Sequence, residues 1–318
     1  MSDFFSQFDQ GQFIEHEGHQ IAIQLTPPDQ IEDFSKVFFP YPAGLVVVTG
    51  GDRVAYLNGL GPTDLRMLKP GEGTRCLFTD NSGHVIFDTH IFAEADRVLI
   101  FTDPGEEVKL HKHLDFYAIT EDVQFEISKE PLEMAMVFGF AQNAETLGGE
   151  LILSGNGGFA VLFGAAGFFA QLAASGFTPI GMSLYEELRP LFGIVRPGVD
   201  YGAHQLPQEA ALEPYIEFQK GCYLGQEPIS RIKFRGRVRQ RLEQVLSQNP
   251  LEPDQPLMVE DKQVGKVTSP SQLQTEQGYW NLAYLDATLA EDPLAKILAN
   301  GEVLQVPRFM AQWAAQQS

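Results

Sequence analysis

Leu151 to Ala173 carries no charged residue and is long enough to cross a bilayer. It also holds five glycines, Ser154, Asn156 and Gln171. Asn156-Gly157-Gly158 reads as a turn that cuts it into short pieces. A buried strand, Phe159 to Phe163, followed by a core helix, Gly167 to Ala174, satisfies this pattern without a membrane. The chain must therefore be organised as short elements punctuated by glycine and proline.

The rest of the sequence agrees. Gly44 to Thr49, Thr74 to Thr79, Val85 to Ile91, Arg97 to Phe101 and Val123 to Ile127 read as strands. Asn81-Ser82-Gly83 joins two of them as a hairpin-type turn. Asp52 to Leu60 and Glu107 to Leu114 read as helices. Ser183-Leu184-Tyr185-Glu186 has the form of a capping box, with a helix expected to about Arg189. Pro190, Pro197 and Pro207 then break the chain. Beyond Gly236 the sequence is strand-like and turn-rich, with hairpin signals at Asp261-Lys262 and Asn300-Gly301, and predicts a small antiparallel β-barrel. The reading is α+β with domains at 1–130, 131–235 and 236–318.

Length and composition, 318 residues with 44% apolar and 20% charged, describe an ordinary globular chain. The formal charge of −20 repels nucleic acid and anionic membrane in general. The exception is Lys220 to Arg241, which holds seven of the 22 basic residues and one acid, Glu227. Two cysteines in a chain this long predict a reducing compartment. The N-terminus lacks a basic segment followed by an apolar core, so a cytoplasmic location is expected. Cys76 and Cys222 are far apart, and the seven histidines form no H-x-x-H or H-E-x-x-H set, so no metal site is indicated.

Chemistry concentrates in Lys220-Gly221-Cys222-Tyr223-Leu224-Gly225-Gln226-Glu227-Pro228-Ile229-Ser230-Arg231. Gly221 permits a turn, and Pro228 suits the first turn of a helix. A helix from about Gly225 past Arg231 satisfies both and spaces Glu227 and Arg231 as an i,i+4 pair. Cys222 then falls just ahead of the helix N-terminus, where backbone N–H groups and Lys220 favour a thiolate or an anionic ligand. A small buried cysteine on a glycine-shaped turn is the other reading of the same residues.

This segment resembles the signature of the YgfZ-type folate-binding proteins, paralogues of the glycine-cleavage T-protein, the tetrahydrofolate-dependent aminomethyltransferase. Asp52 to Leu60 is similar to the family's first helix, Leu188-Arg189 with Gly193 to its L-R-x-x-x-G element, and Val264 to Ser269 to a C-terminal motif. The resemblance implies three domains in a ring around a central folate channel, with tetrahydrofolate or a derivative as ligand. It implies a role supporting iron–sulfur enzymes or their assembly proteins, including enzymes that thiolate tRNA. Cys222 matches the cysteine on which that branch depends.

Two positions depart from the aminomethyltransferase pattern. Leu191 stands where the T-proteins carry an acid that holds the pterin, and Phe87-Asp88 stands where they carry adjacent acids. The expected functional residues are Cys222 and Asp88 for chemistry, with Tyr185, Arg189, Asp200 and Tyr201, besides Asp88, as folate contacts. Arg235, Arg237 and Arg239 are a possible contact for tRNA or an acidic partner; alternating solvent-facing positions of a strand are the plainer reading. Three functions compete: a folate-binding accessory protein that is not a stand-alone enzyme, a tetrahydrofolate-dependent aminomethyltransferase, and a non-enzymatic RNA- or protein-binding adaptor.

Overall fold

The computed structural model describes Phe4 and residues 11–17, 19–26, 31, 34–139, 147–155, 158–290 and 296–307. Of the turn expected at 156–158, Asn156 and Gly157 lie outside this set. The chain gathers into two compact units, Met1–Leu77 with Phe87–Tyr185, and Phe78–Ile86 with Glu186–Ser318.

The first unit begins with β1 (Gln12–His16), β2 (His19–Gln24), β3 (Val37–Tyr41), β4 (Gly44–Thr49) and α1 (Arg53–Asn58). The hairpin strands β5 (Gly73–Thr79) and β6 (Val85–Ala93) follow, then β7 (Arg97–Thr102), α2 (Glu107–Tyr117) and β8 (Gln124–Ile127). β9 (Glu133–Phe138), β10 (Glu150–Gly155), β11 (Phe159–Gly164), α3 (Phe168–Ala174) and β12 (Thr178–Pro179) complete it. Two five-stranded sheets result, ordered β5-β6-β7-β4-β8 and β10-β11-β9-β3-β12.

The charge-free run makes β10, β11 and α3, as its punctuation requires. Phe168, Phe169 and Leu172 of α3 bury against Phe38, Ala135, Val137, Ala160 and Leu162 of the second sheet. Each fully buried phenylalanine contributes about 1.5–3 kcal/mol of apolar transfer. β1, β2, β3, β9 and β10 are found where no strand was expected. β1 is mostly exposed, so it shows no apolar alternation to read.

α4 (Met182–Phe192) corrects two expectations. Ser183 lies inside the helix, so it is not a cap. Gly181 just ahead of the helix packs so closely on Ile23 that a Cβ would meet its carbonyl at 2.3 Å. Pro190 does not end the helix. The side-chain amide of Gln244 donates to the Pro190 carbonyl at 2.7 Å, satisfying backbone near the break.

In the second unit, a short 3₁₀ turn (Glu213–Tyr215) precedes α5 (Gln226–Arg235). Then come β13 (Gln240–Ser247), β14 (Pro256–Val259), β15 (Lys262–Thr275), β16 (Gly278–Asp286), α6 (Ala287–Ala290), β17 (Leu298–Ala299) and β18 (Glu302–Val303). The antiparallel sheet runs β13-β16-β15-β14-β17-β18. Asn300 and Gly301 make the expected tight turn, with φ of 49° and 81°. The sheet curls into a half-barrel over Val245, Leu257, Val267, Ala283 and Leu285, but it is not the closed barrel expected. β17 and β18 have two residues each, too short for a closing ladder. Past β18, Gln305 makes an isolated antiparallel bridge to Leu246 of β13. Among the described residues no helix is long and apolar enough to cross a membrane.

Candidate functional site

The Cys222 segment is held by backbone geometry. Gly225, not Gly221, supplies the turn: it is the N-cap of α5 in the left-handed region, φ 79°. Gly221 has no positive φ, and a Cβ added there would meet nothing within 4 Å. A Cβ on Gly225 would lie 2.3 Å from the Asp80 carbonyl and 2.7 Å from Gly83 Cα. Thr79 Oγ1 donates to the Leu224 carbonyl at 2.6 Å. The 79–83 hairpin tip thus clamps residues 224 and 225.

That tip is itself fixed. Asp80 Oδ1 accepts from the Ser82 and His84 amides at 2.8 and 2.9 Å. This is the aspartate-led turn chemistry expected of such a hairpin.

On this frame Cys222 is exposed. It stands three residues ahead of the N-cap of α5, a helix that starts within one residue of the position expected from the sequence. Its neighbours point inward. Tyr223 is 7% exposed and packs with Ile216 and Ile229. Its buried hydroxyl has no hydrogen-bond partner among the described residues, and burial pushes its pKa up to about 12. Lys220 is buried, its Nζ 5.2 Å from the centre of the Tyr223 ring. The result is an exposed thiol anchored by a buried tyrosine and lysine on a clamped loop. Glu227 and Arg231 form the expected pair at 2.7 Å, both exposed.

The basic run divides by environment. Arg235 ends α5, and its side chain lies outside the described set. Arg237 and Arg239 are exposed between α5 and β13, and Arg241 is paired with Glu243. The run is therefore a helix end and a connection, not one alternating strand.

The other expected residues are drawn into protein contacts. Asp88 is paired in bidentate fashion with Arg75, at 2.7 and 2.5 Å, and its side chain is 4% exposed. Beside this pair lies His90, whose pKa is pushed down to about 4 by burial and then by the Arg75 charge. Tyr185 stacks on Phe39 with ring centres 4.5 Å apart and its hydroxyl donates to Met136 Sδ.

Arg189 is fully buried. It donates to Asp200 Oδ2 at 2.7 Å, the Ile194 carbonyl at 2.9 Å, Ser269 Oγ at 3.0 Å and Glu186 Oε2. Asp200 also accepts from Thr268 Oγ1 and Ser269 Oγ at 2.8 and 2.6 Å. Arg189 and Asp200 are thus the centre of a satisfied buried network.

One cavity brings expected residues to an open space. It has a volume of about 520 Å³ within the second unit, in the range of small-molecule sites. Gly198, Asp200, Tyr201, Gln205, Gln263, Gly265 and Tyr284 are among its walls. Tyr284 is 8% exposed, and its hydroxyl is buried without a partner among the described residues. Burial raises its pKa, with the Glu209 and Asp200 charges adding to the effect. A phenol among glutamine amides offers hydrogen bonds to a polar group. Of the residues expected to contact folate, Asp200 and Tyr201 line this cavity, whereas Asp88, Tyr185 and Arg189 do not. Sequence reasoning missed Tyr284, Gln205 and Gln263, which carry no motif. Among the described residues no three His, Cys, Asp or Glu side chains gather as metal ligands.

One comparison with known proteins bears on the fold. No family model matches the chain. A curated relative from Arabidopsis thaliana, "Putative transferase At1g60990, chloroplastic", is 34% identical over 107 residues. That match covers 34% of this chain and 25% of the relative, so the chain spans only about a quarter of that relative's length. Among solved structures, the glycine cleavage system aminomethyltransferase T from Bartonella henselae superposes with a TM-score of 0.78 at 16% identity. The superposition covers 96% of this chain and 94% of that one. The chain thus has the mixed α and β fold of aminomethyltransferase T.

Proposed function

We propose that this chain is a tetrahydrofolate-binding accessory protein that supports iron–sulfur enzymes, with Cys222 as its working thiol. The observation that carries the reading is an exposed Cys222 beside Gly225, a glycine whose backbone is clamped by the 79–83 hairpin tip. A cysteine kept only for packing is buried, as Cys76 is. Folate enters through the likeness to aminomethyltransferase T, with the cavity at Tyr201 and Tyr284 as its place. The chain is read as three parts, 1–130, 131–235 and 236–318, acting in the cytoplasm.

The test is calorimetric titration with tetrahydrofolate of the wild type, Cys222→Ala and Tyr284→Phe, beside rescue of a deletion strain. Both the wild type and Cys222→Ala should bind, Tyr284→Phe should bind about tenfold or more weakly, and Cys222→Ala should fail to rescue. Full rescue by Cys222→Ala would overturn the thiol role. Absence of binding in the wild type would overturn the folate role.

Aminomethyl transfer is the second reading, favoured by the fold likeness. Two observations weigh against it. Asp88 is held by Arg75 instead of standing free as a base, and Leu191 offers no acceptor. Turnover of an aminomethylated lipoyl carrier protein above background would favour it over the accessory role.

A further inference from the structure

A second cavity, of about 420 Å³, lies wholly within the first unit. One wall is apolar, with Leu45, Phe101, Met134 and Phe169. Glu107, the first residue of α2, faces it and is 9% exposed. Its two carboxylate oxygens differ. Oε1 lies 3.2 Å from His19 Nε2. Oε2 is buried and has no hydrogen-bond partner among the described residues.

Gly44, on the same wall, makes room for Oε2: a Cβ there would lie 2.2 Å from that oxygen. The fold has thus kept a side chain away from the oxygen and left it without a donor. A buried carboxylate oxygen lacking a donor carries an unmet desolvation cost. Such groups in native proteins are met by a partner in nearly every case.

The remaining charged lining leans acidic. Glu17 and Glu133 also line the cavity, and Glu133 Oε2 accepts from the Phe169 amide at 2.8 Å. Lys129 lies at its exposed side. What is missing is a donor with positive charge attached to an apolar body.

We infer that this cavity binds a small organic ammonium, its nitrogen donating to Glu107 Oε2 and its hydrocarbon part against Leu45, Met134 and Phe169. The inference is independent of the folate reading, because it rests on a different unit and different residues.

The test titrates the full chain with 3-methylbutylammonium chloride and with 3-methylbutan-1-ol, the neutral probe of the same shape. The amine should bind saturably and the alcohol about tenfold or more weakly. Glu107→Gln keeps the shape and removes the charge, and it should lower amine affinity by a similar factor. Equal binding of the two probes, unchanged affinity in Glu107→Gln, or no saturation at millimolar amine would overturn the inference. Should Glu107→Gln unfold, amide shifts in the wild type decide. Shifts confined to residues 17–19, 44–45 and 129–134 support the site, and shifts elsewhere refute it. Lys129→Met excludes a resident occupant: if it binds amine and the wild type does not, Glu107 belongs to Lys129 and the inference fails.

Discussion

Gly225 and Gly83 touch backbone to backbone: a Cβ on Gly225 would lie 2.7 Å from Gly83 Cα, and one on Gly83 would lie 3.0 Å from the Gly225 carbonyl. Gly225→Ala therefore adds left-handed strain to a clash with the Asp80 carbonyl. It should cost about 2–4 kcal/mol in urea unfolding. Gly221→Ala, with open space and no positive φ, should stay within about 0.5 kcal/mol of wild type.

Cys222 and Cys76 should differ in reactivity. A disulfide reagent should label Cys222 at once in the native protein and Cys76, 2% exposed, only on unfolding. Cys222→Ala should leave the unfolding midpoint unchanged, since no core contact is lost. Two fast-reacting thiols would show that the β5 strand opens.

Arg189→Lys should be severe. Lysine cannot reproduce a guanidinium that serves Glu186, Asp200, Ile194 and Ser269 together. Breaking such a fully buried pair costs about 3–5 kcal/mol. A melting temperature within a few degrees of wild type would mean that the network relaxes around the smaller cation.

His90 makes stability depend on pH. Its folded pKa of about 4 lies below its unfolded value of 6.5. Between these values the unfolded chain binds the extra proton, so stability rises with pH across that window. The contribution is complete above about pH 6.5 and falls by about 3 kcal/mol as pH drops through 4. Urea midpoints measured from pH 4 to 7 should show this slope, and His90→Phe should flatten it.

The sequence revealed most elements whose ends are marked by turns. Asn81-Ser82-Gly83, Asn300-Gly301 and Gly158, Gly164 and Gly167 each mark a boundary that the fold keeps, because turn chemistry is local. It did not reveal partners. Nothing at Arg75 or Asp88 announces that they meet across neighbouring strands, and nothing at Tyr185 distinguishes stacking on Phe39 from stacking on a ligand. Gly221 and Gly225 look alike in sequence. Only the approach of a hairpin far away decides which of them turns. The curled sheet was legible strand by strand, but its closure depends on the length of β17 and β18, which two-residue strands do not signal.

The clamp on Leu224 also carries a cost in time. Thr79 and Leu224 are 145 residues apart, and the tip that holds the thiol loop lies in a hairpin whose lower halves pack with the first unit. At about 5–20 residues per second, some 7–30 s of synthesis separate the two. Throughout that interval the 78–86 tip is made and waiting while its partner does not yet exist. A fragment starting at Glu186 would never receive it. The reactive segment is thus the last piece of a structure begun early, and the thiol takes up its native setting only once both stretches of the chain have been made.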